Sequence, residues 1–537
     1  MKPVLIIPTY VCGNIQQENT GVLNTYDHMT ALDQPGELMR CLKSIQDLEE
    51  KAPIVILVVS EKGVEEEALD KIRLEASCFP DLDITVIGAP EEEALHGRML
   101  QMGIGDFAHG IRLSGYGPSK NLGLVYAAAM GYTAAIFIDD DEIVEEPDFI
   151  EKACYGLGML TQNEIPILIK TGFYLDASGS YRAKDRHKWY NRFWRQHQGF
   201  NAWIESAMHG PRLSSSNTAY GGCLALHREA FKRVSFDPWI PRGEDLDFLL
   251  NVRMYGSEVW FDNMWSLRHL PPPVSKLESR RFTQDIYRWM YEQRKLEFSA
   301  TQIDLLQVTP RSLNPYPDPF LDSSVNFNIF MTSVLRSIAR AGHRKGYFNA
   351  AMKARKDARE YAKEHCSGYF SFQRRWPEVL ALLEEDIALK GVFENAAVTP
   401  LTPEEIEELE LDAHEPDPYT AFKDGGAYED VVFDVVDGDE EPRTVYAEAP
   451  GQDAARPDED AVSWELDARG AERVPVERVP VEPIPVERAE APVEVSPRDA
   501  GEGAPARRSR SELAKSPFED ILREYKEQSG DDGNAEQ

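Results

Sequence analysis

The sequence predicts an α/β protein with a mostly parallel sheet flanked by helices, then a helical C-terminal domain and a disordered acidic tail. Three observations support this. Over residues 1–275, short β-branched runs alternate with helical stretches, which is typical of a helix-covered parallel sheet. Over 276–400, aromatic residues and leucines recur three and four positions apart, as on a helix. Residues 401–537 are acidic and rich in Pro, Ala and Gly, and such a composition cannot bury enough apolar surface to order itself.

The predicted sheet begins at the N-terminus. The apolar runs are Val4–Ile7, Ile54–Val59, Ile84–Ile87, Ala135–Ile138 and Ile167–Lys170, and the weaker strand candidates are Gly221–Leu226 and Glu258–Phe261. Helices are expected near Pro35–Glu50, Glu65–Ala76 and Lys120–Met130. The opening run is too short for a signal peptide and has no small-residue cleavage site, so it is interpreted as a buried first strand.

Charge is distributed unevenly along the 537 residues. Residues 401–537 hold 39 acidic and 14 basic residues, a net of −25 out of −34. A nonspecific nucleic-acid-binding protein would carry a basic footprint, so that class is excluded. Six scattered cysteines without a CxxC pair favour free thiols in a reducing cytoplasm. No apolar run reaches the roughly 18–20 residues needed to cross a bilayer, so we expect a cytoplasmic protein.

The tail contains a degenerate repeat and one short helical segment. The repeat, Arg473–Glu477 followed by two similar pentads, favours an extended polyproline spacer. Ser516 to Glu519 form a capping box with proline at the first helical position, which predicts a helix near 516–528. Because so short a helix is unstable alone, we expect it to form on a protein partner.

The strongest chemical motif is the run Asp139-Asp140-Asp141, which directly follows an apolar strand. In open α/β sheets, ligands bind beyond the carboxyl ends of the strands, where these residues would lie. Carboxylates crowded together are stabilised by a cation, and their oxygens suit Mg²⁺ or Mn²⁺. The alternative is a solvated acidic turn.

Two further motifs follow. In Gly243-Glu244-Asp245 the two carboxylates would begin a helix, where the helix dipole also favours them without any function. His269 lies in the segment that closes the α/β region, and a single histidine is more often structural than a ligand.

Taken in order, these motifs resemble the family 2-like glycosyltransferases, which have the GT-A fold of the nucleotide-diphospho-sugar transferases. The segments that carry the resemblance are Leu5–Tyr10, Ser119–Gly123, the DXD-like Asp139–Asp141, Gly221–Ala225, Gly243–Asp245 and His269. The resemblance covers about residues 1–275 and implies metal-dependent transfer of a sugar from a nucleotide-diphosphate sugar to a hydroxyl acceptor.

The resemblance also implies roles for individual residues. Asp245, with Glu244, would act as the general base, and Asp141, Asp139 and His269 would hold Mn²⁺ or Mg²⁺. The donor would contact Pro8, Thr9, Tyr10, Glu61, Lys120, Asn121, Asp139 and Asp140. Glu61 departs from the family's usual Asp-Asp, which leaves the base of the donor open, and Lys120 replaces the common arginine.

The resemblance places the acceptor near Gly221 and Gly222 and near the stretch from Arg182 to Arg195. That stretch, which includes Trp189, holds six basic residues interleaved with aromatic ones, which suits an anionic or lipid-linked sugar acceptor. A helix with one packed and one solvated face explains it equally well. The nine Lys and Arg between Arg336 and Lys363 form a basic helical face, for which peripheral membrane contact and simple solvation are both open.

Two other functions remain open. A nucleotidyltransferase that makes the sugar nucleotide can share this fold class, but it should show a glycine-rich basic loop after the first strand, which Val11 to Gln16 is not. An inactive scaffold that acts through its tail is the non-enzymatic alternative. The retained carboxylates argue against it.

Overall fold

The computed structural model describes residues 1–13, 26, 29–184, 188–271 and 278–408. These residues belong to one compact unit that spans Met1–Val445, and a second unit comprises Tyr446–Gln537. The predicted pentad spacer, the helix near 516–528 and nearly all of the predicted acidic tail lie outside the described residues. Within the described residues, none of the helices combines the length and apolarity that a bilayer-crossing segment requires.

The described residues form one sheet of ten strands. The strands are β1 Pro3–Cys12, β2 Thr30–Ala31, β3 Ile54–Ser60, β4 Ile84–Ile87, β5 Ala134–Phe137, β6 Glu142–Ile143, β7 Ile169–Leu175, β8 Leu213–Ser215, β9 Leu224–His227 and β10 Trp260–His269. Their order is β4-β3-β1-β5-β9-β7-β10-β6, with β2 beside β1 and β8 beside β10. β4, β3, β1 and β5 are parallel, whereas β9 runs antiparallel to both β5 and β7. The predicted α/β class with a mostly parallel sheet is confirmed.

The N-terminal strands follow the predicted apolar runs closely because both faces of the sheet are covered. Val4–Ile7 and Ile54–Leu57 are fully buried and show no alternation with polar residues, as expected of strands inside an α/β protein. β7 and β10 extend beyond the predicted runs, and the added part of β10 includes polar and partly exposed residues. A local apolar pattern in the sequence therefore predicts strands that are covered on both faces better than strands that are partly exposed.

Helices alternate with the strands of the sheet, and the elements of the described chain that follow the sheet are all helices. Those up to residue 254 are α1 Leu38–Gln46, α2 Glu65–Ser77, α3 Ala89–Gln101, α4 Tyr116–Ala129, α5 Phe149–Cys154, α6 Gln196–Met208, α7 Arg228–Phe231 and α8 Glu244–Met254. Those that follow are α9 Glu278–Ser299, α10 Asp318–Leu321, α11 Val325–Ala339, α12 Arg344–Asn349, α13 Arg355–Glu384, α14 Ile387–Asn395 and α15 Pro403–Glu408. The three predicted helices correspond to α1, α2 and α4, and α3 and α6 were not predicted.

The C-terminal helices are joined to the α/β region by buried polar contacts. α13 packs against both α9 and α4. Lys295 on α9 lies within 2.6 Å of Asp237 and 2.8 Å of Asp247, and all three side chains are buried. Trp376 on α13 donates to the carbonyl of Phe231. These contacts cross the predicted domain boundary near residue 275. The division of the chain into separate domains at that residue stays a prediction.

The segment after α14 pairs with the edge strand β4. Ala397 forms a bridge with Thr85, Val398 donates to the carbonyl of Ile84, and Leu401 donates to the carbonyl of Ser77. This segment covers backbone groups that an edge strand would otherwise expose.

Truncation after Glu408 should therefore leave the midpoint of thermal unfolding close to that of the full chain, because every described contact is kept. Truncation after Asn395 is the matched control. It removes the pairing with β4 and should cost about 1 kcal/mol for each hydrogen bond lost. Circular dichroism melts of the three chains would check this, and a large loss of stability in the 1–408 chain would contradict it.

Candidate functional site

The ends of β1 and β5 place two predicted motifs at the same edge of the sheet. The strands are parallel neighbours, with Leu5 opposite Ile136 and Ile6 opposite Phe137. The residues that follow therefore meet, and the Thr9 hydroxyl donates to Oδ2 of Asp140 over 2.6 Å. This is the edge at which open α/β sheets bind their ligands.

A cavity of about 190 Å³ lies beyond this edge. Eight of the predicted site residues line it: Tyr10, Asp139, Asp140, Asp141, Gly221, Glu244, Asp245 and His269. These residues come from five segments spread over 260 positions of the sequence. Their convergence is the main structural finding about the site.

Burial and mutual repulsion raise the pKa values of the carboxyl groups in this cavity. The pKa of Asp139 is raised to about 6, chiefly by burial and further by Asp141 and Glu244, while Lys120 opposes the rise. Burial, and then Asp141, also raise the pKa of Asp140 well above its usual range. Such a cluster is stabilised by whatever brings positive charge into it, whether protons or a cation.

Asp141 and His269 meet at one side of the cavity. His269 ends β10, which pairs antiparallel with β6, so that His269 lies opposite Glu142. Its Nε2 is 3.3 Å from Oδ2 of Asp141, and the ring of Tyr174 stacks on the imidazole at 5.0 Å. In the part of the chain that the structure describes, no group of three or more His, Cys, Asp or Glu side chains is arranged to hold a metal ion. The structure thus brings Asp141 and His269 together, and the ligand roles of these two residues and of Asp139 stay predictions.

Glu244 and Asp245 begin α8, directly after a glycine with left-handed backbone geometry. Gly243 has φ of 72°, and a Cβ atom there would lie 2.0 Å from Cζ of Arg288. Arg288 belongs to α9, and its Nη2 is 3.8 Å from Oδ1 of Asp245. The pKa of Asp245 is raised to about 6 by burial and by Glu244, against the opposing effects of Arg288 and Lys120. The close approach of the two helices therefore requires glycine at 243. It also brings Arg288 near Asp245, where the guanidinium favours the ionised carboxylate.

Lys120 is buried behind the cavity and is paired with Glu244. Its Nζ lies 2.8 Å from Oε1 of Glu244 and donates to the carbonyl of Gly221. Burial by itself would lower the pKa of Lys120, but Glu244 and Asp139 outweigh it, so the pKa is raised. The ammonium is therefore held in its charged form between the two motifs.

Replacing Lys120 with Met should destabilise the fold by about 3–5 kcal/mol, because Glu244 would be left buried without its partner. The double variant Lys120→Met with Glu244→Gln should recover part of this loss, since both charges are then removed. Urea unfolding followed by circular dichroism would measure both values. A single variant as stable as the wild type would show that the pair does not stabilise the fold.

Three other residues that were predicted to bind the sugar donor, Pro8, Glu61 and Asn121, do not line the cavity. Pro8 is buried within β1, opposite Leu57 of β3. Asn121 is buried, donates to the carbonyls of Gly110 and Phe236, and accepts from the Phe236 amide. Glu61 accepts a hydrogen bond from the Gly13 amide. Binding of the nucleotide sugar by these three residues stays a prediction.

The predicted acceptor residues are divided between two places. Gly221 lines the cavity, and Gly222 lies just behind it, where a Cβ atom would be 2.2 Å from the carboxylate of Glu142. Arg182 lies outside the cavity and pairs with Glu205 at 3.3 Å, and Trp189 is 59% exposed. Arg182 and Trp189 therefore do not lie with the rest of the predicted site.

Sequence reasoning missed the arginines of the cavity. Arg242, Arg281 and Arg288 line it and are all at least nine-tenths buried. Arg281 and Arg288 are seven residues apart on α9, which places them on one helical face. That spacing is visible in the sequence, but nothing in it indicates that α9 covers the cavity.

The entrance to the cavity has an aromatic wall that was only partly predicted. The ring of Tyr10 lies 4.3 Å from that of Tyr26 and 5.6 Å from that of Tyr116. The Tyr26 hydroxyl accepts a hydrogen bond from the Gly115 amide over 2.6 Å. Tyr10 and Tyr116 line the cavity, so a planar group entering there would meet aromatic faces.

Comparison with known proteins gives distant structural likenesses. The chain is similar to a mannosyltransferase from Pyrobaculum calidifontis solved with GDP-Man and Mn²⁺, with 14% identity and a TM-score of 0.33 over 71% of this chain and 86% of that one. It is also similar to a mycobacterial protein (15% identity, TM-score 0.29, 53% of this chain and 74% of that one). GalNAc-T7 with UDP, GalNAc and Mn²⁺ shows 13% identity and a TM-score of 0.25, over 56% of this chain and 53% of that one. No family model and no curated protein matches the chain.

Proposed function

We propose that the protein transfers a sugar from a nucleotide-diphosphate sugar to a hydroxyl acceptor. One observation supports this most: the Asp139–Asp141 run and the Glu244-Asp245 pair, about 100 residues apart in sequence, line one cavity together with His269. Transfer of this kind, when it inverts the sugar, needs a place for an anionic leaving group and a separate base for the acceptor. The Asp139–Asp141 run, with a bound cation, is suited to the leaving group. The Glu244-Asp245 pair is suited to supply the base.

The donor is proposed to enter along the aromatic wall. Tyr10 and Tyr116 offer ring faces for a nucleobase, and every base has a face that can stack. Asp139, at the end of β5, is proposed to accept hydrogen bonds from the ribose. Thr9 contributes to this part of the site indirectly, because its hydroxyl donates a hydrogen bond to the carboxylate of Asp140.

A divalent cation is proposed at Asp141 and His269, with Asp139 nearby. Carboxylate oxygens suit Mn²⁺ or Mg²⁺, the imidazole adds one neutral nitrogen ligand, and the surrounding carboxylates favour added positive charge. When bound, such an ion offsets the negative charge that develops on a diphosphate leaving group. Leu270 donates to the backbone carbonyl of Asp141, which fixes the chain around both side chains.

Asp245 is proposed as the general base rather than Glu244. Glu244 is already paired with Lys120, whereas Asp245 lines the cavity beside Arg288. A pKa of about 6 leaves Asp245 ionised at neutral pH and able to take the proton of an acceptor hydroxyl.

The arginine side of the cavity suits an acceptor that carries an anionic group. Arg281 and Arg288 project from α9 into the same cavity as Asp245, and Arg242 lies beside them with Asp285 at 3.4 Å. Guanidinium groups bind phosphate and carboxylate through paired hydrogen bonds. We therefore place the anionic part of the acceptor here, and not at Arg182 and Trp189.

A thermal-shift screen tests the proposed function. UDP, GDP, ADP and CDP sugars are added with and without Mn²⁺, and a bound donor at about 100 times its dissociation constant should add roughly 2.7 kcal/mol of stability. We expect one base to raise the melting temperature with Mn²⁺ far more than without it. A nucleoside triphosphate that stabilises better than any sugar nucleotide, with release of pyrophosphate, would favour a nucleotidyltransferase. No shift with any nucleotide would contradict the proposal.

A further inference from the structure

The helix α11 exposes large apolar side chains on one face, while three of the five residues on its buried face are polar or charged. Its buried residues are Val325, Ile329, Thr332, Ser333 and Arg336. On the opposite side, Phe327 is 55% exposed and Ile338 is 62% exposed, and Met331 and Val334 lie between them at helical spacing. A surface helix of a water-soluble protein normally shows the reverse arrangement, so this face calls for an apolar partner.

Further exposed apolar side chains belong to two elements that pack against α11. α11 packs against α12 and against the turn of π-helix at Ala350–Ala354 that follows it. Phe348 on α12 is 61% exposed, and Met352 in that turn is 58% exposed. The apolar side chains of three consecutive elements thus reach solvent.

α11 also contacts the basic and aromatic stretch singled out in the sequence. The ring of Phe193 lies 5.7 Å from that of Phe327, edge to face. Arg336 donates through Nε to Oδ1 of Asn191, which ends a short 3₁₀ turn beginning at the exposed Trp189. The two basic stretches of the sequence, about 140 residues apart, are therefore in contact through α11.

The charged residues in this part of the sequence are all basic. Residues 325–356 contain seven Lys and Arg and no Asp or Glu, in a chain with a net charge of −34. Arg344, Lys345 and Lys353 are exposed beside Phe348 and Met352, and Arg192 and Arg195 are exposed on the Trp189 side. An apolar strip with a basic rim is the arrangement by which proteins lie on anionic lipid.

We propose that this α11 surface, defined by Trp189, Phe327, Ile338, Phe348 and Met352 with its basic rim, docks on an anionic membrane. The apolar side chains enter the region between headgroups and acyl chains, and the rim contacts acidic headgroups. A second copy of the chain is a poorer occupant, because two such surfaces would bring like charges together. The inference is independent of sugar transfer, because none of the five defining residues lines the cavity.

Co-sedimentation of the full chain with vesicles tests the inference. We expect binding to phosphatidylcholine vesicles that contain phosphatidylglycerol, little binding to phosphatidylcholine alone, and weakening as salt is raised. Ile338→Asp with Phe348→Asp should reduce binding at least about tenfold, because two charges would have to enter the apolar region. Lys345→Glu with Lys353→Glu should reduce it by a similar factor through the rim alone.

The matched control is Leu100→Asp with Ile387→Asp. Those side chains are 73% and 86% exposed on α3 and α14, away from the surface. Thermal melts check that each variant is folded, and nucleotide binding should be the same in all of them. The inference is overturned if the wild type does not bind anionic vesicles at low salt, or if the surface variants bind as well as the control. It is also overturned if light scattering shows a dimer that the surface variants abolish while vesicles leave the protein in solution.

Discussion

Replacing Asp245 with Asn should lower kcat by a factor of about 100 or more while leaving donor binding unchanged. The substitution keeps the shape of the side chain and removes its basicity, and general-base catalysis contributes on the order of 10²–10⁴ in rate. Steady-state transfer assays give kcat, and titration calorimetry gives donor affinity. Glu205→Gln, a partly exposed carboxylate outside the cavity lining, is the control and should behave as the wild type.

The pH dependence of the wild type gives a second measurement of the same residue. Burial and Glu244 raise the pKa of Asp245 to about 6, so the proton-accepting form is present above this pH and is lost below it. Turnover should be level between about pH 7 and 8 and should fall about tenfold per pH unit well below 6. Near-normal turnover in Asp245→Asn would reject the role of base and favour a retaining mechanism, which needs no such base.

Asp141→Asn should abolish metal-dependent nucleotide binding and transfer together. The substitution removes a charged oxygen ligand at the point where Asp141 and His269 meet. His269→Ala should weaken both less, because water or a phosphate oxygen can replace one neutral ligand. Calorimetric titration of nucleotide, with and without Mn²⁺, on the wild type and both variants provides the measurement.

The control for the metal prediction is Asp148→Asn, an exposed carboxylate paired with Lys152 outside the cavity. It should leave the effect of Mn²⁺ unchanged. Binding of nucleotide that does not depend on Mn²⁺ in the wild type, and that survives in Asp141→Asn, would end the proposal of a metal site. Loss of stability does not confuse the result, because each variant is titrated only after its melt shows a folded state.

The strands around the site were predictable because their pattern is local. β1, β3, β4 and β5 are buried along nearly their whole length, so each is a mainly apolar run in the sequence. The carboxylates of Asp139–Asp141 follow such a run directly, and Glu244 follows a glycine that permits the turn into α8. These features could be predicted because each depends only on residues that are adjacent in the sequence.

The sequence by itself thus determined the α/β class, the carboxylate groups and the basic character of two later stretches. Only the tertiary structure decided which side chains share a space. It joined Lys120 to Glu244, placed Arg288 of α9 beside Asp245 and Arg281 in the same cavity, and left Arg182 and Trp189 outside it. It also decided that α11 turns its apolar side outward, because the burial of a helix face depends on what packs against it. Strand pattern and chemical type are properties of neighbouring residues, whereas cavity lining and exposed faces depend on contacts between distant segments that no local spacing specifies.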